Sequence, residues 1–198
     1  MRGAGTTASA RDRARTHDGR DRVRSTWSAA AVARGQTAGA AAEDAFEQLA
    51  RAHGYGWRRA SREQERVGHF DGTLTNDANQ RFRVEIKAAK RRHRHARRAD
   101  PAVVVLEYTA INGSPGWLHG QATHVAFARG DAPLRDGFLV VPRAALLEYY
   151  EGLRPTAPWA ERSGTLFARY RRHDRPLEEV MSVPAAALAA LEGAFVFA

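Results

Sequence analysis

Val84-Glu85-Ile86-Lys87-Ala88-Ala89-Lys90 is the stretch on which the reading of this chain turns. The protein carries 31 Lys and Arg residues, and its two lysines both fall here. Everywhere else arginine is the cation. The distinction is chemical: an ammonium is a compact point charge whose pKa moves on burial, whereas guanidinium stays charged and favours planar, bidentate partners. From residue 81 to residue 88 the pattern alternates. Phe82, Val84 and Ile86 fall on one side, and Arg83, Glu85 and Lys87 on the other, as in a strand with one buried face. A carboxylate and an ammonium thus stand together on one sheet face.

Upstream, Asn76-Asp77-Ala78-Asn79 is a turn. Residues 67–74 read as a preceding strand bent at Gly72, so 67–88 form a β-hairpin. Asp71 lies on its first arm. Neighbouring strands run about 4.8 Å apart, so Asp71 and Glu85 can hold one divalent cation between them. Hard ions such as Mg²⁺ take oxygen ligands and keep several waters. Lys87 would then orient or deprotonate a water, or neutralise transition-state charge. Further upstream, Ala41, Ala45, Phe46 and Leu49 recur at helical spacing until His53-Gly54, which predicts an amphipathic helix from residue 37. It carries Glu43 and Glu47, one turn apart, and Glu43 is preferred as the residue facing the site.

Downstream, Lys90, Arg91, Arg92 and Arg94 open a dense cationic run suited to gripping a phosphate backbone. Residues 103–111 read as a central strand. Strands are also predicted over 123–128, 138–141, 166–171 and 179–183, with helices over 144–153 and 184–193. The expected class is α/β, a mixed central sheet flanked by helices, with additional strands and a helix towards the C-terminus. Residues 1–25 read as a disordered basic tail, and 26–198 as one domain.

Composition narrows the function. Net charge is +9 and the pI about 10.8, which favours a polyanionic partner, although an Arg-rich, Ala-rich composition can also reflect a GC-rich genome. The chain has no cysteine, which removes disulfides, zinc-thiolate sites and thiol nucleophiles. Neither an apolar run of membrane-spanning length nor a secretory signal is read, so a soluble, cytoplasmic protein without membrane contact is expected.

Asp71 within His69-Phe70-Asp71-Gly72, followed by Glu85-Ile86-Lys87, with Glu43 upstream of the Gly54-Tyr55 turn, resembles the PD-(D/E)xK nuclease superfamily, the restriction-endonuclease-like fold. The likeness covers roughly residues 35–111, and within the superfamily it is most similar to archaeal-type Holliday-junction resolvases. The Pro that usually precedes the Asp is Phe70 here. The segment from Pro115 to Gln121 matches no resolvase pattern and looks more like a phage or mobile-element branch. The resemblance implies an α-β-β-β-α-β core and a Mg²⁺-dependent endonuclease, with Mn²⁺ as a substitute. It also implies DNA as substrate, branched or junction DNA among the candidates, and a homodimer.

Each site residue has a plainer alternative. Glu85 and Lys87 could be a strand-surface salt bridge, Asp71 a turn residue and Glu43 a solvated helix residue. His69, Glu107 and Gln121 are outer candidates, as phosphate contact, partner to Lys87 or support for a water. Trp57 and Trp117 could stack on unpaired bases or belong to the core. A non-catalytic DNA-binding protein retaining the fold is the competing function.

Overall fold

The computed structural model describes the backbone of residues 29–91 and 98–198 and the side chains from residue 36 onward. The predicted basic tail therefore lies outside the described residues, as do Arg92 and Arg94.

Helix α1 (Ala29–Ala52) is Ala-rich and so a strong helix former. It buries Ala42, Ala45, Phe46 and Ala50 on one face. Gly54 ends it at φ 81°, in the left-handed region that suits glycine. Strands β1 (Gly56–Arg59), β2 (Gly72–Thr75) and β3 (Arg81–Lys87) follow, with helix α2 (Arg62–Gly68) inserted between β1 and β2. Next come β4 (Val103–Thr109), a 3-10 turn (Trp117–His119), β5 (His124–Ala128), α3 (Pro133–Asp136), β6 (Phe138–Pro142) and α4 (Arg143–Leu153). The chain closes with β7 (Arg169–Tyr170), β8 (Glu179–Pro184), α5 (Ala185–Ala189) and β9 (Phe195–Phe197).

Six strands make one mixed sheet in the order β1-β2-β3-β5-β6-β9. Its β3–β5 pair is parallel and the others are antiparallel. A second sheet has the order β4-β8-β7. Alternation along β5 and β6 divides the core in two. Ala126, Ala128, Phe138 and Val140 join Val84, Ile86 and Phe46 on the α1 side. Val125, Phe127, Leu139 and Val141 pack on the other side, against Leu106 and Met181 of the second sheet and Leu146 and Tyr150 of α4. The molecule is thus layered, with the large sheet between α1 and the second sheet.

This is the expected α/β class with a mixed sheet, but three expectations change. Residues 103–111 are not a central strand: β4 is an edge of the second sheet, and β5 takes the place beside β3. A run of identical valines hides the fact that only every second residue of β4 is fully buried along its first half. Second, no helix is described between β3 and its parallel neighbour β5, where an α-β-β-β-α-β unit would have one. Among the described residues β4 and the 3-10 turn occupy that crossover. Third, the strand expected over 67–74 is β2, which begins only at Gly72, so Asp71 precedes it, and residues 62–68 are helix α2. Ser61 caps it reciprocally: its hydroxyl accepts from Gln64 N at 3.3 Å and its N–H donates to Gln64 Oε1 at 2.9 Å. Ser61-x-x-Gln64 is a capping box and was the available signal, but Arg62-Glu63-Gln64-Glu65-Arg66 shows no apolar stripe.

Candidate active site

The site forms where β2 leaves the ladder beside β3. Asp71 directly precedes β2, and its backbone N–H donates to Val84 O at 2.8 Å. Its side-chain Oδ2 accepts from Ile86 N at 2.5 Å. Asp71 is therefore bonded to both neighbours of Glu85. The carboxylate takes the N–H that the departing strand no longer serves, which satisfies a backbone donor. The next residue, Gly72, lets the Trp57 ring lie against β2, because a Cβ there would collide with it.

Glu85 is buried, and its Oε1 accepts a charge-assisted hydrogen bond from Lys87 Nζ. Lys87 also lies 5.3 Å from the centre of the Trp117 ring, a cation–π contact. The lysine is thus held between an anion and an aromatic face. Loss of water around Asp71, reinforced by the negative charge of Glu85, raises its pKa from 3.8 to about 7. The Ile86 N–H and the Lys87 charge oppose that shift, and Glu43 adds to it. Glu43 is itself raised, by burial first, while Arg59 opposes; the charges of Glu65 and Glu85 are further raising contributions. Crowded carboxylates that resist ionising together are what a bound cation relieves.

Glu43 and Glu47 separate here. Glu47 is engaged by Arg51 at 2.9 Å and by Arg59 at 2.8 Å, whereas Glu43 interacts electrostatically with Asp71 and Glu85. Arg59, which the sequence did not single out, spans Asp44 and Glu47 and comes within 3.9 Å of Glu43. Its signal was its place two residues after the buried Trp57, on the strand face that meets α1.

The outer candidates are dispersed. His69 is not on a strand. It ends α2 in the left-handed region, at φ 48°. Gln121 Oε1 accepts from Arg83 Nη1 at 2.8 Å, so its oxygen is engaged by the arginine two residues before Glu85. Glu107 sits on β4 in the second sheet, where its charge acts on Lys90. Lys90 is exposed over the residue as a whole. Its ammonium end nevertheless loses enough water to push its pKa down, with the charge of Lys87 acting the same way and Glu107 opposing. Arg91 is exposed. Trp57 and Trp117 are both buried core residues, so neither offers a free face for stacking.

Among the described residues no group of three His, Asp or Glu side chains is arranged to hold a metal. The donor set Asp71 and Glu85 still fits a hard divalent ion, which takes one or two carboxylates and completes its shell with water and substrate oxygens. No helix among the described residues is long and apolar enough to cross a membrane. No protein-family model, curated protein or solved structure matches the chain.

Proposed function

We propose that this protein is a divalent-metal-dependent endonuclease that hydrolyses DNA phosphodiester bonds. The observation that carries the reading is that Asp71 is bonded to Val84 and Ile86, on either side of Glu85, while Lys87 pairs with Glu85. The β1-β2-β3 meander with a further strand parallel to β3 also supports it.

In this proposal Asp71 and Glu85 would hold the ion, and the charge of Glu43 would act on both carboxylates. A bound Mg²⁺ or Mn²⁺ would polarise the phosphate and acidify a water. Lys87 places a positive charge where the pentavalent phosphate gains negative charge. Its pairing with Glu85 and its seat on Trp117 keep the ammonium oriented before substrate arrives. Arg59 neutralises the helix carboxylates beside the site. Branched or junction DNA, in recombination, repair or phage DNA processing, is the substrate class that the sequence resemblance favours.

The alternative is a non-catalytic DNA-binding protein of the same fold. It draws on one observation: Asp71 already serves the Ile86 N–H, as a purely structural strand-end residue would. Cleavage of plasmid and four-way-junction DNA with Mg²⁺ or Mn²⁺, by the wild type and by Lys87→Ala, separates the two. The nuclease reading expects cutting that is lost in Lys87→Ala by a factor of about 10² or more, with DNA binding retained. If the wild type binds DNA and cuts nothing with either metal, the alternative holds.

A further inference from the structure

A second feature lies on the sheet face that carries Glu85 and Lys87. Arg58, Thr73 and Arg83 form a cross-strand row through β1, β2 and β3. Thr123 extends the row, since its N–H and hydroxyl both donate to Arg83 O, at 2.8 and 3.0 Å. Arg81 is two residues before Arg83 on the same face. These residues form one side of an open groove of about 670 Å³, and Glu63, Gln64 and Val67 of α2 contribute to its lining. Three arginines line it against a single carboxylate, Glu63.

Arg58 and Arg81 are exposed. Arg83 is held by Gln121 at 2.8 Å and stacks its guanidinium 5.6 Å from the centre of the Phe70 ring. The floor is therefore part fixed and part open to a ligand. Phe70 and Arg83 of the lining stand one residue before Asp71 and two before Glu85, so the groove ends beside the carboxylates.

We infer that this groove binds a single strand of DNA, its phosphates on Arg58, Arg81 and Arg83, and leads it to Asp71 and Glu85. Charge complementarity selects a polyanion. The arrangement selects one strand: Arg81 and Arg83 are two residues apart on β3 and Arg58 lies two strands away on the same face, a single patch of positive charge that one phosphate backbone can follow. Thr73, Thr123, Gln64 and Gln121 supply donors and acceptors for sugar and base edges without imposing a sequence. The choice of DNA rests on the nuclease proposal; the groove itself does not.

The test is anisotropy of labelled oligo-dT, the matching duplex and oligo-U with the full chain in EDTA, across a salt series. Arg58→Ala/Arg81→Ala is compared with wild type and with Arg58→Lys/Arg81→Lys, and all three are checked for equal thermal midpoints. Both substituted arginines are exposed, so equal folding is expected. The double alanine variant should lose about tenfold or more in oligo-dT affinity and flatten the log–log salt slope by about 1.4, for two lost phosphate contacts. The lysine variant should keep most of both. Unchanged oligo-dT binding by the alanine variant overturns the inference, as does tighter binding of duplex or oligo-U than of oligo-dT by the wild type. Cleavage with Mg²⁺ is scored separately. A wild type that binds oligo-dT through the groove but cuts nothing defeats the nuclease proposal alone, and one that cuts while the groove variant binds normally defeats the groove alone.

Discussion

Asp71→Asn should stabilise this protein while abolishing its proposed activity. The side chain is held where its charged form is disfavoured, by lost water and by Glu85, so its pKa rises from 3.8 to about 7. A raised folded-state pKa means the folded chain binds a proton that the unfolded chain has released. That contribution is fully present below about pH 4 and is lost as pH rises through about 7. About three pKa units at 1.36 kcal/mol each make about 4 kcal/mol. Glu85 shares the repulsion, so roughly 2–4 kcal/mol is expected. Asparagine keeps an oxygen for the Ile86 N–H and cannot ionise. Urea unfolding followed by tryptophan fluorescence, at pH values from 4 to 8, measures this directly. The two proteins should differ least at the acid end, and the variant should be more stable by roughly 2–4 kcal/mol above pH 7. Millimolar Mg²⁺ should narrow the gap by stabilising only the wild type. A difference that stays constant from pH 4 to 8 would refute the reasoning, because it would mean that Asp71 ionises normally in the fold.

The same carboxylate sets two further expectations, and Gly72 a third. Cleavage should fall as pH drops through about 7, because the ion needs Asp71 deprotonated. Raising Mg²⁺ should move that limb to lower pH, since metal and proton compete for one site; a pH–rate series at several Mg²⁺ concentrations reads both effects. Gly72→Ala, whose Cβ meets the Trp57 ring, should destabilise the protein by about 1–3 kcal/mol in the same urea assay. A wild-type midpoint for that variant would mean the β1–β2 contact is looser than described.

The β3 strand was legible because its pattern is redundant. Phe82, Val84 and Ile86 alternate with charges, and a one-residue slip would bury Arg83. The helix bearing Glu43, the turn after β2 and strands β5 and β6 were legible for similar reasons, each carrying a periodicity or a turn signature of its own. Helix α2 was not, because Val67 is the one large apolar residue among its seven, too few for a stripe, and Ser61 caps its start. Nor was the partner of β3. The valine run of β4 and the mixed run of β5 both suit a strand beside β3, and the choice depends on which strand fills both cores, as β5 does.

Local sequence alone determined that Glu85 and Lys87 share a face, since alternation is a property of one strand. It also determined that this face is charged and the opposite one apolar. Which groups meet that face was decided by tertiary structure. Asp71 reaches both neighbours of Glu85 because β2 leaves its ladder at that residue, and Trp117 lies beside Lys87 after a crossover of some thirty residues. The arginine row of the groove likewise exists only once β1, β2 and β3 are in register. Periodicity fixes direction within a strand, but contact between strands depends on packing, which no single segment contains.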